Sequence, residues 1–303
     1  MDAPQYVFGA QGFGATWVSG NIDRLMVALK DAGIQRFDTA ALYPATNPGV
    51  SEKLLGEKKP ENAIIDTKIM FIGDGSLSMK NIGKSINDSL DRLKIKKIHT
   101  LYAHAPDRTV PIAEQAAYFD HYYRLGLFEN LGLSNYTPAM VREWMDVAVE
   151  KDFVMPSVYQ GQYNATSPLA GGFLTGKLSY HPTLQSLEGT RFEVGEGNMV
   201  GALYRMWYDQ PAFHDAMREL DNMAKEHDST GAQFALRWLL FHSQLKSSDE
   251  VVIGPSHFEQ LQCYLDARKA GPLPDNNAEK VNMLFPALRG LSKTIIEKGW
   301  WSL

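Results

Sequence analysis

A parallel α/β fold, wound as a barrel of βα units, is the class this sequence predicts, and three observations predict it. Short apolar runs rich in β-branched and aromatic residues alternate with amphipathic stretches of helical period along most of the 303 residues. The length suits an α/β barrel that forms one domain, so a single domain spanning 1–303 is expected. Polar residues recur at the C-terminal ends of the apolar runs, which is where barrel enzymes build their sites.

The first run, YVFGA at 6–10, is short, β-branched and aromatic, and reads as a strand. An amphipathic stretch at 21–33 follows as a helix, then RFDTA (36–40) as the second strand and a helix at about 50–57. AIIDTK (63–68) is the third strand, and the helix predicted at 78–93 carries Ile82, Ile86, Leu90 and Leu93 on one stripe. IHTLYAH (98–104) is the fourth strand. The helix after it, 111–125, contains the aromatic run YFDHYYR at 118–124, which reads as packing rather than a binding face. FENLGLS (128–134) is the fifth strand, and the next helix, 138–151, starts at Thr137-Pro138, a capping residue ahead of a proline at the first helical position. VMPSVYQ (154–160) is the sixth strand.

There the rhythm breaks. NATSPLAGG has no helical period and leads into a long stretch punctuated by Gly and Pro that ends near Pro211. Helices at 211–227 and 230–243, a seventh strand EVVIG (250–254), a helix at 257–270 and a C-terminal helical stretch complete the chain. Parallel neighbours need a crossover of about a dozen residues or more, usually with a helix. One βα unit is therefore expected to be missing at 167/168.

Composition excludes several classes of function. Hydrophobic residues are 44% and charged residues 21%, with 25 Gly and 15 Pro dispersed, which is ordinary globular usage. A net charge of -5 argues against a nucleic-acid partner. With no apolar run of membrane-spanning length and no signal-peptide pattern, neither a membrane nor secretion is expected, and a cytoplasmic location is the default. Cys263 is the single cysteine, which rules out an intrachain disulfide and a thiolate cluster. The histidines form no ligand pattern, so no metal is expected. Asn87, Asn135 and Asn164 stand in N-x-S/T triplets that read as chance matches.

The candidate site consists of Asp38, Lys68, His104, Ser134, Asn135 and Gln160 at strand ends, with Tyr43 in the loop after the second strand. Each alone has a structural reading: Asp38 as a helix cap, Lys68 as a surface lysine, His104 as a strand terminator. Placed together at the mouths of successive strands, they read as one catalytic constellation.

On the stretches FDTAALY, SEKLLGE, IDTK, LYAHAPD, GLSNYTPAMV, MPSVYQGQYNA, PLAGGFLTGK, ALRWLLFHSQL and VVIGPSHFEQL, the sequence resembles the aldo-keto reductases, and within them the aflatoxin-aldehyde reductase branch. The matches run from about residue 8 to 270. The resemblance implies a TIM-type barrel of eight βα units, NADPH bound without a Rossmann domain, and reduction of an aldehyde or ketone to an alcohol. GAQGFG at 9–14 lacks the spacing of a dinucleotide fingerprint.

By the same resemblance, Tyr43 is the general acid, Lys68 and Asp38 tune it, and His104 orients the substrate carbonyl. The residue types suit the roles: a free phenol has a pKa of about 10, and an adjacent ammonium lowers it by favouring the phenolate. Ser134, Asn135 and Gln160 match the clamp on the nicotinamide carboxamide, whose donor and acceptor suit polar side chains. Pro168, Leu169, Gly171 and Lys177 match cofactor-binding positions in the PLAGG loop. Ser256 and Gln260 match positions near the adenosine 2'-phosphate, where Tyr264 replaces the family's Asn. Arg191 in TRFEVG resembles an arginine near anionic groups, for a substrate carboxylate or the cofactor phosphates, and a solvated loop arginine is its structural alternative. A small carbonyl compound is the implied partner, with dicarbonyls, semialdehyde acids and secondary-metabolite ketones as candidates, and a homodimer is consistent with the resemblance.

In the family, the stretch between YNAT and PLAGG holds a helix and the seventh strand, roughly twenty residues as the βα repeat requires. Here only Ser167 stands between them. The expectation is therefore an eight-unit fold lacking its sixth helix and seventh strand. Closure would come from seven strands, from a substitute strand within 178–208, or from a second chain. The lost strand carries the aromatic residue that stacks on the nicotinamide. Two alternatives follow: a cofactor-independent lyase, isomerase or cyclase, or a non-catalytic binding protein on the same barrel.

Overall fold

Each apolar run read as a strand pairs into one sheet of seven, ordered β6-β5-β4-β3-β2-β1-β7. The structure is a computed structural model that describes residues 3–161, 168–195 and 199–297. The strands are β1 (Gln5–Gly9), β2 (Arg36–Asp38), β3 (Ile64–Lys68), β4 (Ile98–Ala103), β5 (Phe128–Ser134), β6 (Pro156–Gln160) and β7 (Glu250–Ile253). From β1 to β6 each strand pairs in parallel with the next in sequence. Between them run the crossover helices α1 (Ser19–Asp31), α2 (Val50–Lys58), α3 (Met79–Leu93), α4 (Ile112–Arg124) and α5 (Pro138–Lys151). These are the five consecutive βα units that the sequence predicts. Thr137 caps α5 as expected, its hydroxyl accepting the Met140 N–H at 3.3 Å.

Contacts divide the chain into two units, the larger comprising Tyr6–Thr166 and Val252–Phe258. Its core lies between strands and helices: Ile98, Leu101, Phe128 and Leu131 from the sheet meet Ile82 and Ile86 of α3, Phe119 of α4 and Trp144 of α5. Sheets covered on both faces read as continuous apolar runs rather than alternating ones, and β4 is buried at five of its six positions. Phe119, from the aromatic run, packs on Phe128 at 6.5 Å and Trp144 at 5.8 Å, as the packing reading requires. Tyr102 on β4 lies beside Gly132 on β5, in register. A Cβ at Gly132 would sit 2.2 Å from the Tyr102 ring, so only glycine leaves the ring its place.

The smaller unit takes in Ser167–Val251 and Glu259–Leu303 with the extreme N-terminus. Its helices α9 (Pro211–Lys225), α10 (Gly231–Phe241) and α12 (Asp275–Glu297) contribute Met217, Leu220, Phe234 and Ala278 to a core shared with Phe173, Leu187 and Phe192. A capping box starts α10: the Thr230 hydroxyl accepts the Gln233 N–H while the Gln233 side chain accepts the Thr230 N–H. Ahead of α9 lie a 3₁₀ turn (Ala170–Thr175) and the helices α6 (Lys177–Tyr180), α7 (Leu184–Leu187) and α8 (Met199–Tyr208). α11 (Phe258–Ala270) follows β7.

Among the described residues, 168–249 holds no strand, so the expected substitute strand within 178–208 is not formed there. The helical period of YRMWY (204–208) and the Gly-rich turns favour helices instead. The sheet order leaves β6 and β7 as its edges. The proposed junction at 167/168, with Ser167 and the triplet at Asn164, lies outside the described residues. No helix among the described residues is long and apolar enough to cross a membrane, and no group of three or more His, Cys, Asp or Glu there could hold a metal ion.

Candidate active site

Asp38 ends β2 and Lys68 ends β3, and the parallel pairing of those strands brings the two side chains together. Lys68 Nζ donates to Asp38 Oδ1 and Oδ2, each at 2.7 Å, and to the Thr39 carbonyl at 2.9 Å. Three acceptor oxygens thus surround the ammonium, which carries three N–H donors. Both side chains are buried, 1% exposed for Lys68 and 7% for Asp38. Burial works against the ammonium, but the charge of Asp38, with Tyr43 and Asp66 adding to it, outweighs that and holds the Lys68 pKa above its ordinary value. Lys68 is therefore a cation throughout the neutral range.

Tyr43 reaches this pair from the loop after β2. That loop is tied down at several points: Ala41 N–H donates to the Lys68 carbonyl at 3.1 Å, Tyr43 N–H to Ala40 at 3.0 Å, and Ser51 N–H to the Tyr43 carbonyl at 3.1 Å. The Ser51 hydroxyl donates to the Ala10 carbonyl at 2.7 Å and meets Thr39 Oγ1 at 2.8 Å. Lys68 Nζ lies 5.3 Å from the Tyr43 ring centroid and 5.5 Å from that of Tyr102, so the cation sits between two phenol rings. The Tyr43 and His104 rings meet edge to face, 5.5 Å apart at 89°.

His104 stands just beyond β4 and is buried. Burial first, then the charge of Lys68, push its pKa down to about 3, against a smaller upward pull from a hydrogen bond to the Ile69 backbone. Its imidazole is neutral at any working pH. In that form it can hydrogen-bond a carbonyl oxygen, and it is a poor proton source beside a protonated Lys68.

Ser134 and Asn135 close β5. Asn135 has φ 64, a left-handed conformation that Asn adopts more readily than most residues. This turns its amide back on the site: Nδ2 donates to the His104 carbonyl at 2.9 Å and to Ser134 Oγ at 3.1 Å. Asn135 Oδ1 is left as an acceptor and the Ser134 hydroxyl as a donor. Gln160, the last residue of β6, donates from Nε2 to Asp38 Oδ1 at 2.9 Å and offers Oε1 as a further acceptor. Two acceptors and a donor fit a primary carboxamide, so the chemistry of this donor set suits the nicotinamide end of the implied cofactor.

The other predicted positions are placed as follows. Pro168 and Leu169 precede the 3₁₀ turn, and Ala170, Gly171 and Gly172 all have positive φ. At Gly171 a Cβ would sit 2.1 Å from the Tyr204 ring, which makes glycine obligatory there. Lys177 opens α6 with its side chain exposed. Arg191 donates from Nη1 to the Tyr204 hydroxyl at 2.7 Å, with its guanidinium 5.6 Å from that ring. Burial first pushes the Tyr208 and Tyr264 phenols up, and Arg191 draws both partly back. Arg191 is exposed and has the Tyr204 hydroxyl as a hydrogen-bond partner. Ser256 lies in the link between β7 and α11, and Gln260 in the first turn of α11.

The aldo/keto reductase family model matches residues 7–167 and 165–284. This chain belongs to the aldo/keto reductase family. Its relatives place it in the aflatoxin-aldehyde reductase-like branch. It is 30% identical to rat aflatoxin B1 aldehyde reductase member 2, over 93% of this chain and 84% of that protein. It is 28% identical to human aflatoxin B1 aldehyde reductase member 4, over 89% of this chain and 90% of the relative. It is 27% identical to the oxidoreductase sirO of Leptosphaeria maculans, over 95% of both chains. The fold is also that of a solved glycerol dehydrogenase from Gluconobacter oxydans, with TM-score 0.65, 21% identity and coverage of 94% and 95%. The seven strands among the described residues match the family's (β/α)8 fold. The family model breaks into two segments at 165–167, where the sequence predicts the missing unit. The alignment with the rat protein runs over 316 residues, more than the 303 of this chain, so the relative supplies positions that this chain lacks.

Two residues of this neighbourhood are absent from the sequence reading. Tyr102 flanks Lys68, yet on a strand buried along both faces no alternation marks one side chain as facing the site. Glu52 of α2 is fully buried, accepting from Thr67 Oγ1 at 2.6 Å and from Arg92 Nε at 2.8 Å, so it locks α2 and α3 to the strand that carries Lys68. SEKLLGE holds that glutamate, but a charged residue early in a helix reads as solvated until its partners are known.

Proposed function

We propose that the protein is an NADPH-dependent reductase of a small aldehyde or ketone, with Tyr43 as the general acid. What supports this most directly is the buried Asp38–Lys68 pair with Tyr43 and a neutral His104 around it. A bound nicotinamide supplies the hydride. Tyr43 passes its phenolic proton to the carbonyl oxygen as negative charge builds there, and the charge of the Lys68 cation eases that transfer. The His104 ring hydrogen-bonds the same oxygen and fixes the direction of attack. Ser134, Asn135 and Gln160 hold the carboxamide; Pro168, Leu169, Gly171, Lys177, Ser256 and Gln260 contribute to the rest of the cofactor site. Arg191 serves an anionic group of the substrate.

A second reading, acid–base catalysis without a redox cofactor, is favoured by the break in the family match at 165–167, since the strand missing there is the one that stacks on the nicotinamide. The deciding test is NADPH binding by calorimetry, followed by aldehyde-dependent NADPH oxidation by the wild type and by Tyr43→Phe. The expected result is binding by both proteins and a turnover about 10²–10⁴-fold lower in the variant. Turnover that persists in cofactor-stripped protein would overturn the first reading in favour of the second.

A further inference from the structure

We propose that Gln160 tunes the acid: by donating to Asp38 it sets how much of the Lys68 charge reaches Tyr43. This rests on the reading of Tyr43 as general acid and extends Gln160 beyond the carboxamide clamp. Asp38 Oδ1 accepts two bonds, from Lys68 Nζ at 2.7 Å and from Gln160 Nε2 at 2.9 Å, while Oδ2 accepts from Lys68 alone. Lys68 Nζ lies 5.3 Å from the Tyr43 ring centroid, and its charge acts on the phenol. What Tyr43 senses is that cation less the opposing field of Asp38. A donor on the carboxylate withdraws part of the negative field, and the amide of Gln160 is that donor.

Three other titratable groups stand near this pair among the described residues. His104 is neutral. Asp66, further back on β3, acts on Lys68. Tyr102 shares the cation from β4. Among the described residues, the donor that Asp38 has besides Lys68 is Gln160 from β6, 122 residues away in sequence. The arrangement has a consequence for linkage. A ligand amide that draws on Gln160 changes the hold on Asp38, so the proton affinity of Tyr43 and the affinity for that ligand depend on each other.

The test is read on protein without cofactor, so that failure of the reductase reading, which would appear as no NADPH oxidation by the wild type, stays separate. Tyrosine labelled with ¹³C at Cζ is titrated by NMR, with the Tyr43 signal assigned by its loss in Tyr43→Phe. Gln160→Met removes the donor and Gln160→Glu replaces it with a second carboxylate. The Tyr43 titration is expected to move up by roughly half a unit in the first and further in the second. In an Asp38→Asn background, Gln160→Met is expected to move it no further. An unshifted titration in either folded variant, or a shift that survives Asp38→Asn, overturns the proposal. A merely structural role for Gln160 would lower Tm without ordering the two shifts.

Discussion

Replacing Asp38 by Asn tests the central pair, because it leaves a buried ammonium without its counter-charge. Lys68 is 1% exposed, both Asp38 oxygens lie 2.7 Å from Nζ, and the one other acceptor it has is the Thr39 carbonyl. Removing one partner of such a pair costs about 3–5 kcal/mol, a large part of the roughly 5–15 kcal/mol that holds a domain folded. The loss depends on pH, and its sign follows from the lysine. In the wild type the Lys68 pKa is raised, so its stabilisation is complete below the ordinary value of 10.5 and fades only as pH climbs through the higher native value. In the variant the largest remaining influence is burial, which lowers the pKa. The native state then sheds its proton before the unfolded chain does, and the variant is penalised most at low pH and least near the ordinary lysine pKa. Urea denaturation at about pH 6 and about pH 9.5 measures both ends, with the full deficit expected at the first and a smaller one at the second. Asp38→Asn combined with Lys68→Met is expected to be more stable than Asp38→Asn alone. A deficit under about 1 kcal/mol at both pH values would refute the argument, since a pair worth so little is the mark of solvent-exposed charges.

His104 gives a second pH signature. Its native pKa of about 3 lies below the ordinary 6.5, so the unfolded chain binds a proton that the native state refuses. Stability should fall as pH drops below about 6.5, with this residue adding up to about 1.4 kcal/mol per pH unit. Urea midpoints should decline less steeply in His104→Asn over that window, and an identical slope would count against a buried neutral imidazole. Gly132→Ala should cost about 1–3 kcal/mol, because the new methyl would lie 2.2 Å from the Tyr102 ring. In a Tyr102→Leu background thermal melts should show a much smaller cost, and equal costs would refute the contact.

The parts of the site that the sequence discloses lie where strand ends meet loops. Asp38, Lys68 and His104 are legible because a polar residue closing an apolar run is unusual and the runs alternate regularly with helices. All seven strands are legible for the same reason, as is α5 from its Thr137-Pro138 start. The connections among these groups are not legible. The amide of Gln160 could turn to solvent, to a ligand or to the chain, and nothing near it in sequence says that it turns to Asp38. Residues 178–203 lack any strong period, so topology left a substitute strand as one of three ways to close the sheet, but the described segments settle into short helices around Phe173, Leu187 and Phe192. Tyr102 is hidden by the uniform burial of β4, and Glu52 by the assumption that a helical glutamate faces water.

The groups proposed to handle protons stand at the ends of β2, β3 and β4, or in the loop directly after β2, and each of those strands has a neighbour on both sides. The residues proposed for the carboxamide lie outward from them on β5 and on β6, which pairs with β5 and, among the described residues, is an edge of the sheet. A change in the chain beyond β6 would therefore meet the residues proposed to grip the nicotinamide before it met the buried Asp38–Lys68 pair.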